Sequence, residues 1–398
     1  MLRFSPLLCL LFAAACGGSV TSVPAGESDG GTFSESGTPV TSCSTLSVGA
    51  VHVVSDQPAA SSRLTTVAGA APGALVGWLS TLPGVQAPIP MRVRAVDRDG
   101  APTSTAHDVL SVLGGGGSLA WGYGRAGAIG ADESLVCQLV TLDPSGAPLA
   151  GSTAVAMGAC GQLGTTATGF DLLGTSAGTM SLVTTDASAQ PTGSTTLEMG
   201  ASPANVVRAT FADQSFLLAW SSDALSNCEC PAPLTVQHFS AGGQPLSLAS
   251  SPASIYPGGR FALTAEGDRA LLVTPGAPAG PIAVRALDMD GHQIGSPLGL
   301  AGMPAGQVAP FAIDIAGIGG DVAVVAWVTN SPTTQAHVVA QAITSAPAVL
   351  SQPVVITPSG VSLDVKVVGG AGRALIVWDG PVTGTPSQVY AAPVGCGP

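Results

Sequence analysis

Lysine is almost missing from this chain: Lys366 is the only one in 398 residues. Charged residues of all kinds make up 9%, against about 25% in an ordinary soluble domain. That shortage excludes long solvent-exposed amphipathic helices and coiled coils, whose outer faces need charged helix formers. The net charge of −12 excludes attachment to nucleic acid or anionic lipid through a basic patch. Low charge here does not mean disorder, because 46% of the residues are hydrophobic and disordered chains lack that apolar content. What the chain has instead is 53 glycines and 32 prolines, the punctuation of many short elements joined by turns. Its length leaves room for two or three average domains, or for one large all-β array.

At the N-terminus Arg3 precedes an apolar run over 4–14 that contains Leu7, Leu8, Leu10, Leu11 and Phe12. The run is too short to span a bilayer, which takes about 20 apolar residues. A positive start, an apolar core and the small residues Ala13, Ala14 and Ala15 describe a secretory signal. Cys16 follows at once, and this resembles the lipobox of bacterial lipoproteins, with Ala13 where that family usually has leucine. The resemblance implies that residues 1–15 are a signal peptide and that Cys16 carries the lipid. Gly17 in the next position implies an outer-membrane address. Residues 17–42 are Gly, Ser, Thr and Pro with a few acids; together with Cys16 they are expected to form a flexible tether, 16–42, of roughly 28 Å root-mean-square reach.

From residue 51 onward the chain repeats itself. A short apolar run, usually ending in tryptophan, appears as Ala74-Leu75-Val76-Gly77-Trp78, Leu119-Ala120-Trp121, Phe216-Leu217-Leu218-Ala219-Trp220, Val324-Val325-Ala326-Trp327 and Leu375-Ile376-Val377-Trp378. Phe170-Asp171-Leu172-Leu173 and Ala270-Leu271-Leu272-Val273-Thr274 fill the two gaps, giving seven copies about fifty residues apart. A second apolar stretch with a polar turn follows each run, as in Val93-Arg94-Ala95-Val96-Asp97-Arg98-Asp99-Gly100. Asp and Gly at these offsets suit tight hairpin turns. Four short antiparallel strands per unit, repeated seven times, resembles a β-propeller of seven four-stranded blades occupying 43–398. A sandwich strand alternates apolar and polar residues, whereas the run 322–327 is apolar on both faces, as a sheet packed between two others requires. A β-solenoid is the competing architecture, since it also stacks both faces.

The seventh unit supplies only three strands, and the apolar stretch 48–54 stands unclaimed at the other end. Pairing 48–54 with 387–392 closes the ring and removes an open edge. Six cysteines remain beyond Cys9 and Cys16, an even number in an exported chain. Cys43 and Cys396 flank the two strands to be paired and are expected to bridge. Cys137 with Cys160, and Cys228 with Cys230, are the remaining pairs offered.

The candidate chemistry is sparse. Gly174-Thr175-Ser176-Ala177-Gly178 matches the G-x-S-x-G pattern, but that motif needs a strand-to-helix elbow, and a strand follows here. Asp97/Asp99 and Asp288/Asp290 have the spacing of calcium-loop oxygens without the further acids such a loop needs; hairpin turns account for them. The five histidines, at 52, 107, 238, 292 and 337, are dispersed with no pair at i, i+4, so no metal and no cofactor are expected. Cys228-Glu229-Cys230 suits a disulfide better than a metal in an exported protein. Gly114 to Gly117 lacks the Lys-Ser/Thr of a phosphate loop. Tyr123, Tyr256 and Tyr390 are the only large polar-tipped aromatics beyond the repeat. The expectation is a lipid-anchored, non-enzymatic interaction platform at the cell envelope with a protein or glycan partner. The alternative is a glycan-binding, hydrolase or lyase propeller whose site is assembled from blade loops at the channel mouth.

Overall fold

In the computed structural model the described residues are all β, with no helix among them. The structure describes residues 20–22 and 43–397, apart from 59, 71–72, 83–87, 113–116, 156, 158, 177–178, 200–202, 223–230, 256–259, 277–280, 301–311, 330–336, 358–363, 371 and 382–385. The signal peptide, Cys16, most of the tether, Gly114, Cys228, Glu229, Cys230 and Tyr256 lie outside the described residues.

Seven antiparallel sheets follow one another along the chain as the blades of a propeller. Blade 1 is built from Ser61–Ala70, Gly73–Thr81, Ile89–Val96 and His107–Val112, paired in that order from the axis outward. Blade 2 uses Gly117–Gly122, Arg125–Ala131, Cys137–Leu142 and Thr153–Val155, and blade 3 uses Ala159–Thr165, Phe170–Ser176, Thr179–Thr185 and Pro191–Thr196. Blade 4 comprises Pro203–Thr210, Phe216–Ser222, Ala232–Phe239 and Ser250–Ile255, and blade 5 Ala262–Glu266, Arg269–Thr274, Ile282–Asp288 and Gln293–Leu300. Blade 6 comprises Ile313–Gly319, Val322–Thr329, His337–Thr344 and Val354–Val355.

Blade 7 has Asp364–Gly370, Arg373–Pro381 and Ser387–Cys396, and takes its fourth strand from the other end of the chain. Leu46–Val48 lies antiparallel to Val394–Cys396, and His52–Val53 pairs with Ala391 and Tyr390. Gly49 and Val54 donate their amides to the carbonyls of Pro393 and Val389. The ring therefore closes between the strands expected from the repeat, with two further residues joining at the start. Cys43 is disulfide-bonded to Cys396 at this corner, with Cα atoms 4.9 Å apart and a sequence separation of 353. Cys137 is bonded to Cys160, joining blades 2 and 3.

The core is not one cluster but seven, one in each seam between neighbouring blades. This is why the strands are apolar on both faces: Val322–Thr329 is buried at every position. Trp78, Trp220, Trp327 and Trp378 stand on second strands and turn toward the preceding blade. Trp121 departs from the expected pattern, because it stands near the end of the first strand of blade 2 and pairs with Ala126. The second strand there, RAGAIGA, carries no aromatic residue.

Outer edges invite pairing with other chains, and a chain with one lysine cannot defend them with that charge. Proline protects them instead, since Pro102, Pro148, Pro191 and Pro245 open the outer hairpin arms of blades 1 to 4. Proline cannot donate to a ladder, so it is tolerated on an edge and blunts it.

Two faces can be named from the connectivity. The upper face carries the blade-to-blade connections and the turns from second to third strands; the lower face carries the other turns. First strands therefore run from upper to lower face along the axial channel. Within that channel Val20–Ser22 pairs in parallel with the first strand of blade 4, Val20 opposite Arg208, Thr21 opposite Ala209 and Ser22 opposite Thr210. It also lies beside the first strands of blades 1, 2, 3 and 5.

Candidate functional site: the seams, the channel mouth and the lower face

The turns at the lower face begin with an aspartate in four blades. Asp97 Oδ1 accepts the amides of Asp99 and Ala101 at 2.9 and 2.8 Å, while Gly100 adopts a φ of +82° that suits glycine. Asp143 and Asp186 repeat this arrangement, and Asp288 accepts from His292. Asp97 and Asp288 thus serve their own hairpins, whereas Asp99 and Asp290 face Arg373 and His238 of neighbouring blades. Each turn also packs on the preceding blade: Ser104 Oγ donates to the Ser145 carbonyl at 2.7 Å, and Ser250 Oγ to that of Gly291 at 2.7 Å.

Polar side chains on the inner strands reach across the seams. Thr66 Oγ1 accepts the Leu119 amide at 3.1 Å, Ser118 Oγ the Leu163 amide at 3.2 Å, and Asp314 Oδ2 the Val367 amide at 2.8 Å. Gln162 Nε2 donates to the Val206 carbonyl at 2.7 Å. Asp379, wholly buried, accepts Leu64 of blade 1 at 2.9 Å and Asp364 of its own blade at 2.8 Å. The Asp171–Arg208 ion pair spans blades 3 and 4 at 2.6 Å, with each side chain 1% exposed. Arg208 also lies 4.2 Å above the Phe216 ring. Burial pushes the Asp171 carboxyl up, against the pull of Arg208. A buried polar group without a partner costs about 1–3 kcal/mol, so these contacts decide how neighbouring blades register.

Charges also gather at the upper channel mouth. Arg260, in the connection into blade 5, bridges Asp364 of blade 7 at 2.7 Å. The contact passes over blade 6. Lys366, 6% exposed, stands two residues along the same strand as Asp364.

On the lower face Glu266 of blade 5 and Asp321 of blade 6 line a cleft of about 460 Å³ with Asp268, Arg269 and Ser345. Gly317 leaves the space that the Glu266 carboxyl fills; a Cβ there would overlap it. Burial, and then the charge of Asp321, pushes Glu266 up to about 7. Ser345 Oγ donates to Asp321, which adopts a φ of +69°. A second cleft of about 340 Å³ lies where the ring closes, lined by Arg98, Arg373 and glycines of blades 7 and 1. Arg373 opens its second strand, as Arg125 and Arg269 do in blades 2 and 5. Arg125 reaches the Ala187 carbonyl in the turn of the next blade and Arg373 reaches Asp99 at 3.3 Å, so both clasp the blade that follows.

The histidines are not gathered, but two have acids nearby that the sequence did not suggest. His292 Nδ1 lies 3.7 Å from Asp288, and His238 Nδ1 lies 3.8 Å from Asp290. His238 Nε2 is 2.9 Å from Ser215 Oγ, and His337 Nδ1 is 2.9 Å from the Thr357 carbonyl. Among the described residues no group of three or more His, Cys, Asp or Glu could hold a metal ion. Gly174 to Ser176 belong to a strand, not an elbow. Tyr390 stacks on Trp378, whereas Tyr123 is exposed on the lower face and donates its hydroxyl to the Thr166 carbonyl.

No family model and no curated protein sequence matches the chain. The likeness lies in solved structures. A protein of unknown function from Dyadobacter fermentans is 9% identical with a TM-score of 0.55, over 88% of this chain and 99% of that one. The lectin BP39L from Burkholderia pseudomallei is 12% identical with a TM-score of 0.52, over 83% and 98%. The endosialidase of phage phi92 is 9% identical with a TM-score of 0.51, over 88% and 69%. At these identities the likeness is one of fold.

Proposed function

We propose that this chain is an exported, lipid-anchored propeller that serves as a rigid interaction platform at the cell envelope rather than as an enzyme. The observation that carries it is the use of the interior charges. Asp171, Arg208, Asp314 and Asp379 are each engaged across or along a seam, where they brace the ring. Two disulfides add to that bracing and belong to an oxidising compartment. The lipobox at Cys16 supplies the anchor, which needs acyl chains and no spanning helix. The test is twofold. Mass spectrometry of the native N-terminus should find an acylated Cys16, and an unmodified thiol defeats the anchor. Crosslinking in intact cells should trap an envelope partner, while purified protein should release no product from neutral or acidic oligosaccharides. Product release overturns the platform.

The second reading, a glycan-binding or cleaving propeller, is favoured by one feature. Arg260 and Asp364 meet at the upper channel mouth and bring residues of blades 5 and 7 together. Under that reading Asp364→Asn removes glycan binding or turnover while the fold persists; under the platform reading there is none to remove.

A further inference from the structure

In blades 2 and 7 the arginine that opens the second strand crosses to the blade that follows, Arg125 to the Ala187 carbonyl and Arg373 to Asp99. Blade 5 has the same arginine, Arg269, but its guanidinium stays on its own hairpin, 3.8 Å from Asp268. The seam between blades 5 and 6 opens there into the lower-face cleft of about 460 Å³. Glu266 stands on one wall and Asp321 on the other, and among the described residues no cation pairs with either. Thr264 adds a hydroxyl to the same seam. It stands opposite Leu271, which packs against blade 6, and Glu266 follows two positions later on that strand face. Thr264 is 1% exposed and its Oγ1 has no partner. On other first strands the hydroxyls of Thr66 and Ser118 hold amides of the next blade. A buried hydroxyl left unpaired is costly, so this seam is short of a donor as well as a positive charge.

We infer that the cleft between blades 5 and 6 receives the ammonium group of a lysine side chain carried by a partner protein. An ammonium is a compact charge with three donors. Glu266, Asp321 and the Thr264 hydroxyl offer three separate acceptors on the two walls, whereas a guanidinium fork is matched by one planar carboxylate. A second copy of this chain does not supply the group, because its only lysine is Lys366, 6% exposed within blade 7. The groups facing Glu266 are Asp268 and Arg269 on its own hairpin, with Asp321 and Ser345 across the seam. The Glu266 carboxyl stands at about 7 while no cation faces it, so an arriving ammonium ionises it and a proton leaves. That the ammonium belongs to a protein rests on the platform reading above; the cation site itself does not.

A magnetic-resonance titration of the full chain tests the site. The probes are the tripeptide acetyl-Gly-Lys-Gly-amide and its norleucine counterpart, which keeps the methylenes and lacks the charge. The lysine peptide should shift the amides of Gly267 and Ser345. It should bind about tenfold more tightly at pH 8 than at pH 5, where Glu266 is protonated. Glu266→Gln should lose that pH dependence and bind about tenfold more weakly at pH 8. Equal binding of the two peptides, or equal binding by wild type and Glu266→Gln, overturns the site. Thr264→Val deletes a hydroxyl that holds nothing in the free protein, so it should weaken binding several-fold with no fall in the urea midpoint. Unchanged binding by that variant overturns the three-acceptor geometry. For the partner, a carbodiimide joins a carboxyl to an amine as an amide and takes up the water as a urea. Applied to intact cells, it should couple Glu266 or Asp321 to a lysine of another protein. A partner coupled only through other residues overturns this docking point and leaves the platform standing. Peptide binding with no partner trapped overturns the platform and leaves the cation site standing.

Discussion

Asp379 accepts the backbone amide of Leu64 at 2.9 Å, although the two residues are 315 positions apart. The contact lies in the seam where the last blade meets the first, and the same carboxylate holds the Asp364 amide. Replacing it by alanine orphans two buried donors at about 1–3 kcal/mol each. Asp379→Ala is expected to lower stability by about 2–4 kcal/mol, and Asp379→Asn, which keeps one acceptor, by about half as much. Urea unfolding of the two variants checks this; equal costs would show that the carboxylate does not act through both oxygens.

The two disulfides among the described residues constrain very different lengths of chain. Cys43–Cys396 closes a loop with a sequence separation of 353, and Cys137–Cys160 one of 23. In the chain-entropy account these are worth about 6 and about 3 kcal/mol. Cys43→Ser is therefore expected to lower the unfolding midpoint more than Cys137→Ser does. The reverse order would mean that the outer-strand pairing closes the ring without help from the bond.

Glu266 makes stability depend on pH. Its carboxyl is raised from 4.5 to about 7, by burial first and by Asp321 second, so the folded chain holds this proton more tightly than the unfolded one. The contribution is fully present below about pH 4.5 and is lost as pH rises through about 7. Solvent reaches part of the group, which leaves about 2–3 kcal/mol across that window. Glu266→Gln should remove this part of the slope and be the more stable protein at pH 8. Parallel pH–stability curves for wild type and variant would sink the assignment.

The ring and its closure were legible in sequence because they follow from counting: a repeat one strand short at one end and one strand spare at the other. The Asp-Gly turns were legible because the residue at each turn fixes its geometry locally. Trp121 misled, since Leu-Ala-Trp looks like the other tryptophan runs, whereas blade 2 fills its second strand with Ala, Gly and Ile. The seam contacts were not legible at all. Thr66, Ser118 and Asp314 carry no motif of their own, and their partners lie 45 to 53 positions away. Nothing in composition separates Val20–Ser22 from the rest of the tether; its pairing depends on an edge that exists only once the ring has formed.

Gly164 stands against the Asp171–Arg208 pair so closely that a Cβ would overlap both Asp171 Oδ1 and Arg208 Nη1. Neither side chain can swing to water, because both are fully buried. Gly164→Ala is thus expected to destabilise by about 2–4 kcal/mol through forced separation of the charges. Arg208→Met alone strands a buried carboxylate and should cost about 3–5 kcal/mol. Asp171→Leu with Arg208→Met replaces the pair by apolar groups of similar size, and such exchanges are often close to neutral. The double variant should therefore be more stable than Arg208→Met, and Gly164→Ala should cost less within it, since apolar side chains can repack where ions cannot. Urea midpoints of the five chains give the coupling. If Gly164→Ala costs the same in both backgrounds, the glycine serves the backbone alone and the ion pair does not explain it.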